Sequence, residues 1–321
     1  MLKFKRRNRN YFPQLVLVLC LVSCNGLIET ELNLEDFVDS EYKYGMSGVL
    51  RYSDQYDTLA SRVKLSVVGL GQNSEVTHET ASPELFKESN SFSELFYTGD
   101  EFNTYYSNLS IDSSTYTQLT PGSYSLSSIH SEYGEISAKT TIPQALPELY
   151  NIKIDSLLDK QNAIITFSFD DPIEENYYHL SFQSIYEQPI FDTFISELDT
   201  LIFPIEHIAN IKDVSDSSIE FTHDNDLIFS DQNFNGTTYT LTLNINVAGN
   251  LSSLSFDQIA NILHIEWATI SRDLYLFETS YANHLGNAFL GDYSEQTVIY
   301  SNVEGGIGYL GGIHYRDVPL N

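Results

Sequence analysis

Cysteine is almost missing from this chain: there are two in 321 residues, Cys20 and Cys24, both inside one apolar N-terminal stretch. Nothing downstream can be cross-linked or build a thiolate metal site, so a disulfide scaffold is excluded. Basic residues are scarce as well. With 16 Lys+Arg against 44 Asp+Glu the formal net charge is −28, and a surface this acidic repels phosphates, which excludes nucleic acid as a partner. Past the N-terminal stretch no run of about 18 apolar residues occurs, so no spanning helix is expected. Tryptophan is reduced to Trp267, which counts against a sugar-stacking platform. The chain instead carries 22 Tyr and 19 Phe within a 42% hydrophobic composition, enough to bury a core despite the charge and to exclude disorder. Its length suits about two domains.

The N-terminus reads as an address. Lys3, Lys5, Arg6, Arg7 and Arg9 precede the apolar run Leu15 to Val22, a basic region followed by a short hydrophobic one. That run is too short to cross a bilayer. It ends in Leu21-Val22-Ser23-Cys24, which matches the bacterial lipobox. Residues 1–23 are then a lipoprotein signal peptide, and the Cys24 thiol takes diacylglyceryl and becomes the first residue after cleavage. Each buried acyl methylene contributes ~0.8 kcal/mol, so several chains make a lasting anchor. Residues 24–41 form an acidic tether with Glu29, Glu31, Glu35, Asp36, Asp39 and Glu41 and no basic residue.

Beyond the tether, short alternating runs bounded by Gly, Pro, Asn, Asp and Ser predict half-buried antiparallel strands. They include Tyr44 to Arg51, Arg62 to Val68, Ser123 to Ile129, Ala163 to Phe169, Tyr178 to Ile185, Ser218 to Phe221 and Thr238 to Val247. Long helical crossovers are missing between them, which predicts an all-β chain of two β-sandwich domains, immunoglobulin-like and fibronectin-like, rather than βαβ units. Pro143 and Pro147 cannot sit inside a sheet. A boundary there divides residues 42–146 from a second β-rich domain, 147–321. One helix is expected near 270–287, where Leu274, Phe277, Tyr281 and Leu285 recur at helical spacing and Gly286 supplies a stop.

Motifs with chemical content are few. Gly306-Ile307-Gly308-Tyr309-Leu310-Gly311 satisfies G-x-G-x-x-G after an expected strand from Thr297 to Val303, but the chain given ends ten residues later. No room remains for the helix and acidic residue that a dinucleotide site requires. These glycines read as a tight backbone passage closing the second sandwich. With Tyr309, the positions Gly306, Gly308 and Gly311 are also the candidate partner-binding surface, because glycine permits close backbone approach and a tyrosine can fill a pocket. Asp231, Asn233, Asn235 and Gly236 reproduce the first half of a calcium loop, but position twelve is Thr242, so an Asx-rich hairpin turn is favoured over a cation site. The eight histidines, among them His179, His264 and His314, lack ligand spacing. Asp170-Asp171 and Glu174-Glu175 read as turn-solvating pairs. No catalytic residue is assigned, no enzyme is expected, and no cofactor beyond the lipid on Cys24 is called for.

Four stretches together resemble a family. They are Glu29-Thr30-Glu31-Leu32-Asn33-Leu34; Leu119-Thr120-Pro121-Gly122-Ser123-Tyr124-Ser125-Leu126 with Ile136 to Pro143; Phe169-Asp170-Asp171-Pro172 with Asn176-Tyr177-Tyr178; and Phe229 to Gly236 with the helix around Tyr275 and Tyr300 to Gly308. In order and spacing they are similar to a Bacteroidota outer-membrane lipoprotein family, domain of unknown function 4249. The resemblance implies an immunoglobulin-like first domain, a fibronectin-like second domain with one helix, and an accessory role beside TonB-dependent outer-membrane transporters. It transfers no catalytic residue. It also implies display at the cell surface, although here the acidic export signal begins only at Glu29, and the periplasmic face is the alternative. The expected function is a non-catalytic outer-membrane lipoprotein serving a TonB-dependent transporter or an assembly complex, with a β-barrel partner. The alternative is a stand-alone binding module for glycan or peptide.

Overall fold

The structure is a computed structural model that describes residues 43–56, 59–69, 72–74, 81–88, 90–97, 104–108, 116–159, 162–189, 200–206, 209–222, 226–247, 263–289 and 298–320. The signal peptide, Cys24 and the acidic tether lie outside the described residues. In chain order the elements are β1 (Lys43–Tyr52), β2 (Arg62–Gly69), β3 (Gln72–Ser74), β4 (Ala81–Lys87), β5 (Asn90–Glu94), β6 (Phe96–Tyr97), β7 (Thr104–Ser107), β8 (Gly122–His130), β9 (Gly134–Ile142) and β10 (Tyr150–Asp159). There follow β11 (Asn162–Asp170), β12 (Tyr177–Pro189), β13 (Thr200–Glu206), β14 (Ala209–Val214), β15 (Glu220–Phe221), β16 (Leu227–Ser230), β17 (Thr238–Val247), β18 (Leu263–Ile270), α1 (Arg272–Phe289), β19 (Val303–Glu304) and β20 (Ile307–Pro319).

Among the described residues these strands make three sheets, and the fold is all-β with one helix. The largest runs β15-β16-β12-β18-β20-β1-β2-β7-β6, with β13 on β12 and β3 on β2; the others are β10-β11-β17-β14 and β19-β9-β8-β4-β5. One half of the large sheet packs on the four-stranded sheet through Tyr178, Leu180, Ile265 and Trp267 against Ile165, Phe167, Phe169, Leu241 and Leu243. Its other half packs on the five-stranded sheet through Tyr44, Met46, Val63 and Leu65 against Leu85, Tyr124, Leu126 and Ile136. Two sandwiches therefore share one sheet. Alternation produces this directly, since successive side chains leave a strand on opposite faces: in β8 Tyr124, Leu126, Ser128 and His130 are the buried positions.

Two devices sharpen the corners. The Tyr124 hydroxyl donates to the Thr120 carbonyl at 2.8 Å and accepts from the Thr120 N–H at 3.0 Å, which is the tyrosine corner of immunoglobulin-like sandwiches. It anchors the Thr120-Pro121-Gly122 turn. The Trp267 indole N–H donates to the Pro147 carbonyl at 2.8 Å, fixing the proline segment that separates the two cores.

The sheet crosses that separation through β20, which is antiparallel to β18 and parallel to β1, with Gly45 opposite Ile307 and Tyr52 opposite His314. Glycine makes the passage possible. A Cβ on Gly308 (φ +116°) would lie 1.9 Å from the Met46 carbonyl oxygen, and one on Gly311 would lie 2.8 Å from the Leu274 Cβ.

Three local expectations are corrected. The helix runs through Gly286 to Phe289 because the glycine adopts no left-handed conformation there. Residues 298–302 are not a strand; only Val303–Glu304 pairs, with β9. The Asn302 side chain takes the ladder's place, accepting from the Leu310 N–H and donating to the Leu310 carbonyl, both at 2.9 Å. Residues 231–236 turn as expected, with Phe234 N–H on the Asp231 carbonyl at 2.8 Å. They connect no hairpin, however: β16 pairs with β12 and β15, whereas β17 pairs with β11 and β14 of another sheet.

Candidate functional site

The outer face of the large sheet carries α1. Its start is set by Ser271, whose Oγ accepts from the Leu274 N–H at 3.2 Å and from the Gly312 N–H at 3.1 Å, so one hydroxyl caps the helix and ties it to β20. Leu274, Ile270, Ile313 and Tyr315 form a small core between helix and sheet. Beside that core the face turns polar. Because Tyr178, Leu180, Ile265, Trp267 and Leu50 point inward, the alternating positions His179 and Ser181 of β12, Glu266 of β18, and Val49 and Arg51 of β1 must point outward.

With Asp226 at the foot of β16 and Glu278 on the helix, these residues line a cavity of about 290 Å³, walled on its apolar side by Val49, Ile270, Leu274 and Ile313. The His179 Nε2 lies 3.4 Å from Asp226 Oδ2. Burial by itself depresses the His179 pKa, but the Asp226 carboxylate, with Glu266 and Glu278 behind it, outweighs burial and raises it. His179 Nδ1 is buried without a hydrogen-bond partner among the described residues. Burial raises the Glu266 pKa, and His179 and Arg51 only partly offset this. A second cavity of about 480 Å³ shares Val49 and Arg51 with the first and is lined further by Leu59, by Arg62 of β2 and by Tyr309 of β20.

The residues singled out from sequence lie elsewhere. The Asp231 carboxylate is turned inward, 1% exposed, and its Oδ2 accepts from the Asn176 N–H at 2.7 Å. Asn233 and Asn235, by contrast, are exposed. Gly306 and Gly308 approach β1, and Gly311 approaches Leu274; the close approach these glycines permit is to this same chain. Tyr309 stacks on Phe277 of α1 at 3.6 Å between ring centroids, and burial pushes its phenol up to about 12. Among the described residues no group of three or more His, Asp or Glu is arranged to hold a metal ion. His179 and Glu266 escaped the sequence reading because their neighbours in the cavity come from five separate segments. The only local signal was a charged residue at an outward position between Ile265 and Trp267.

The sequence profile of one family, DUF4249, described as a domain of unknown function, matches residues 52–317. No curated protein matches the chain in sequence. Among solved structures, a chimeric titin Z1Z2 tandem carrying a GRGDS peptide from fibronectin is 7% identical. The match covers 72% of this chain and 91% of that one with a TM-score of 0.20, a value that carries no structural argument.

Proposed function

The chain belongs to the DUF4249 family, and from that premise we propose that it is a non-catalytic, lipid-anchored outer-membrane protein of a bacterium of the Bacteroidota. In this reading it is displayed at the cell surface and serves a TonB-dependent transporter or an assembly complex as an accessory subunit. The observation that carries this is Leu21-Val22-Ser23-Cys24 behind a basic and then an apolar segment, because a lipidated cysteine confines the body to a membrane surface. No described helix is long and apolar enough to cross a membrane. Confinement shared with a β-barrel partner raises effective concentration, so a modest interface suffices. Cys24→Ala is expected to move the protein from the membrane fraction to the soluble periplasmic fraction, and affinity purification of the wild type from mild detergent is expected to bring down a stoichiometric β-barrel. Membrane retention of an unlipidated Cys24→Ala chain, or recovery of the wild type alone, would sink the reading.

A second reading, a stand-alone binding module for glycan or peptide, is favoured by one observation: the charged cavity between α1 and the sheet.

A further inference from the structure

A third cavity, of about 780 Å³, opens between the proline segment, the turn that joins β11 to β12, and the start of α1. It shares Ile270 with the charged one. Its wall is fixed in advance: His314 Nδ1 donates to the Pro143 carbonyl at 3.2 Å, and Trp267 holds the far end of the segment at Pro147. Most charges in the lining are already engaged within the chain. The Tyr177 phenol donates to Glu175 Oε1 at 2.6 Å and accepts from Arg272, and the Tyr300 phenol donates to Asp273 Oδ1 at 2.7 Å. What is left over is a mixed set of donors and acceptors. The Glu174 carboxylate and the Gln144 amide are exposed at the rim, and neither has a hydrogen-bond partner among the described residues. At the floor Thr269 is 1% exposed, and its Oγ1 has none there either. Ser271 caps the Leu274 N–H. The N–H groups of Arg272 and Asp273, also in the first helical turn, have no partner among the described residues.

We infer that this cavity binds a short neutral saccharide, its hydroxyls shared among Glu174, Gln144, Thr269 and the first N–H groups of α1. Charge decides against an ion. Glu174 and Glu175 oppose an anion, whereas Arg272 and the positive end of the helix oppose a cation. Hydrogen-bonding pattern then favours a sugar over a peptide. A hydroxyl donates and accepts at one oxygen, so two adjacent hydroxyls can meet a carboxylate and an N–H together, while a peptide amide carries its donor and acceptor on opposite sides. The apolar C–H face of a sugar ring suits Pro143, Ala145 and Ile270 in the same lining. A ring held by enclosure needs no tryptophan platform. The volume falls within the roughly 300–1,000 Å³ of small-molecule sites. A buried hydroxyl without a partner costs the fold, and a ligand oxygen on Thr269 removes that cost. The inference rests on the binding-module reading, supplies its ligand class, and needs neither the lipid anchor nor a protein partner.

Calorimetric titration of the purified full chain, free of sugar-based detergent, tests it with five probes: maltotriose, cellotriose, mannotriose, triacetylchitotriose and the blocked peptide N-acetyl-trialanine amide. At least one sugar is expected to bind, and the peptide is not. Thr269→Val keeps the shape and removes the hydroxyl. It is expected to weaken that sugar about three- to tenfold, the loss of one hydrogen bond, with a melting temperature that is unchanged or raised. A merely structural Thr269 would move the melting temperature and leave the affinity alone. Glu174→Ala, at the exposed rim, is expected to weaken the sugar about tenfold or more, the loss of a charge-assisted contact; it decides alone if Thr269→Val lowers the melting temperature. Sugar binding that either well-folded variant leaves unchanged overturns the inference. Binding of the peptide, with or without a sugar, overturns it while the binding-module reading survives, and silence from all five probes sinks both.

Discussion

Glu266 stands between Ile265 and Trp267, two residues of the deepest core, yet alternation turns it to the opposite face, where burial raises its pKa. His179, across the sheet beside Asp226, is raised too. The linkage has one sign for both. Each group holds its proton more tightly folded than unfolded, so its stabilising contribution is complete below the unfolded value and drains away as pH rises through the folded one. The loss begins above about 4.5 for Glu266 and about 6.5 for His179, their ordinary values. Glu266→Gln removes the carboxylate but keeps the shape. It is expected to raise Tm by roughly 2–4 °C at pH 8, the shift of about 1 kcal/mol in a domain of this size, and to change it little at pH 4. Thermal scans of both proteins between pH 4 and 8 check this, and parallel curves would show that Glu266 is not the strained group. A residue that stabilises the fold when removed is retained for another reason, commonly function.

At the scale of elements, α1 and β20 are held together by rings and glycines. Tyr309 lies flat on Phe277, which stacks in turn on Tyr281, and Leu274 fits where Gly311 has no side chain. Tyr309→Ala is therefore expected to cost about 2–4 kcal/mol, reaching below the roughly 3–5 kcal/mol of a fully buried aromatic because the ring is only half-buried, and to lower the urea midpoint accordingly. If the midpoint does not move while a co-purifying partner is lost, Tyr309 serves an external surface instead. The helix was legible in sequence because Leu274, Phe277 and Tyr281 repeat at its period. The strands from Arg62, Ser123, Ala163 and Thr238 were legible because their apolar residues alternate. Residues 298–302 misled because Val298, Ile299 and Tyr300 look like a strand, and only the folded chain shows Asn302 occupying the hydrogen bonds of Leu310. The charged cavity was not legible at all. Arg51, His179, Asp226, Glu266 and Glu278 each look like an ordinary solvated residue on a strand, loop or helix, and their meeting depends on the order of strands in the sheet, which leaves no local pattern.

For the molecule as a whole, the governing feature is the parallel pairing of β1 with β20, whose partners stand 262 residues apart in sequence. Pro143 and Pro147 mark where one core stops and the other begins, but β20 lends Leu310 to the first core while Val318 and Leu320 pack on the second. Deleting residues 307–321 is accordingly expected to abolish cooperative unfolding of both sandwiches, followed by near-UV circular dichroism. Survival of a cooperative transition in either half would show that the half stands without β20. The same pairing bears on how such a chain reaches its destination. Contacts this distant in sequence form slowly, because the whole intervening loop must be closed before they repay its entropy. Neither sandwich can complete its shared sheet until β20 has been made. On the proposed export route, a chain that stays open until β20 has been made remains threadable through a narrow translocation pore, and its two sandwiches close only after β20 has reached the far side.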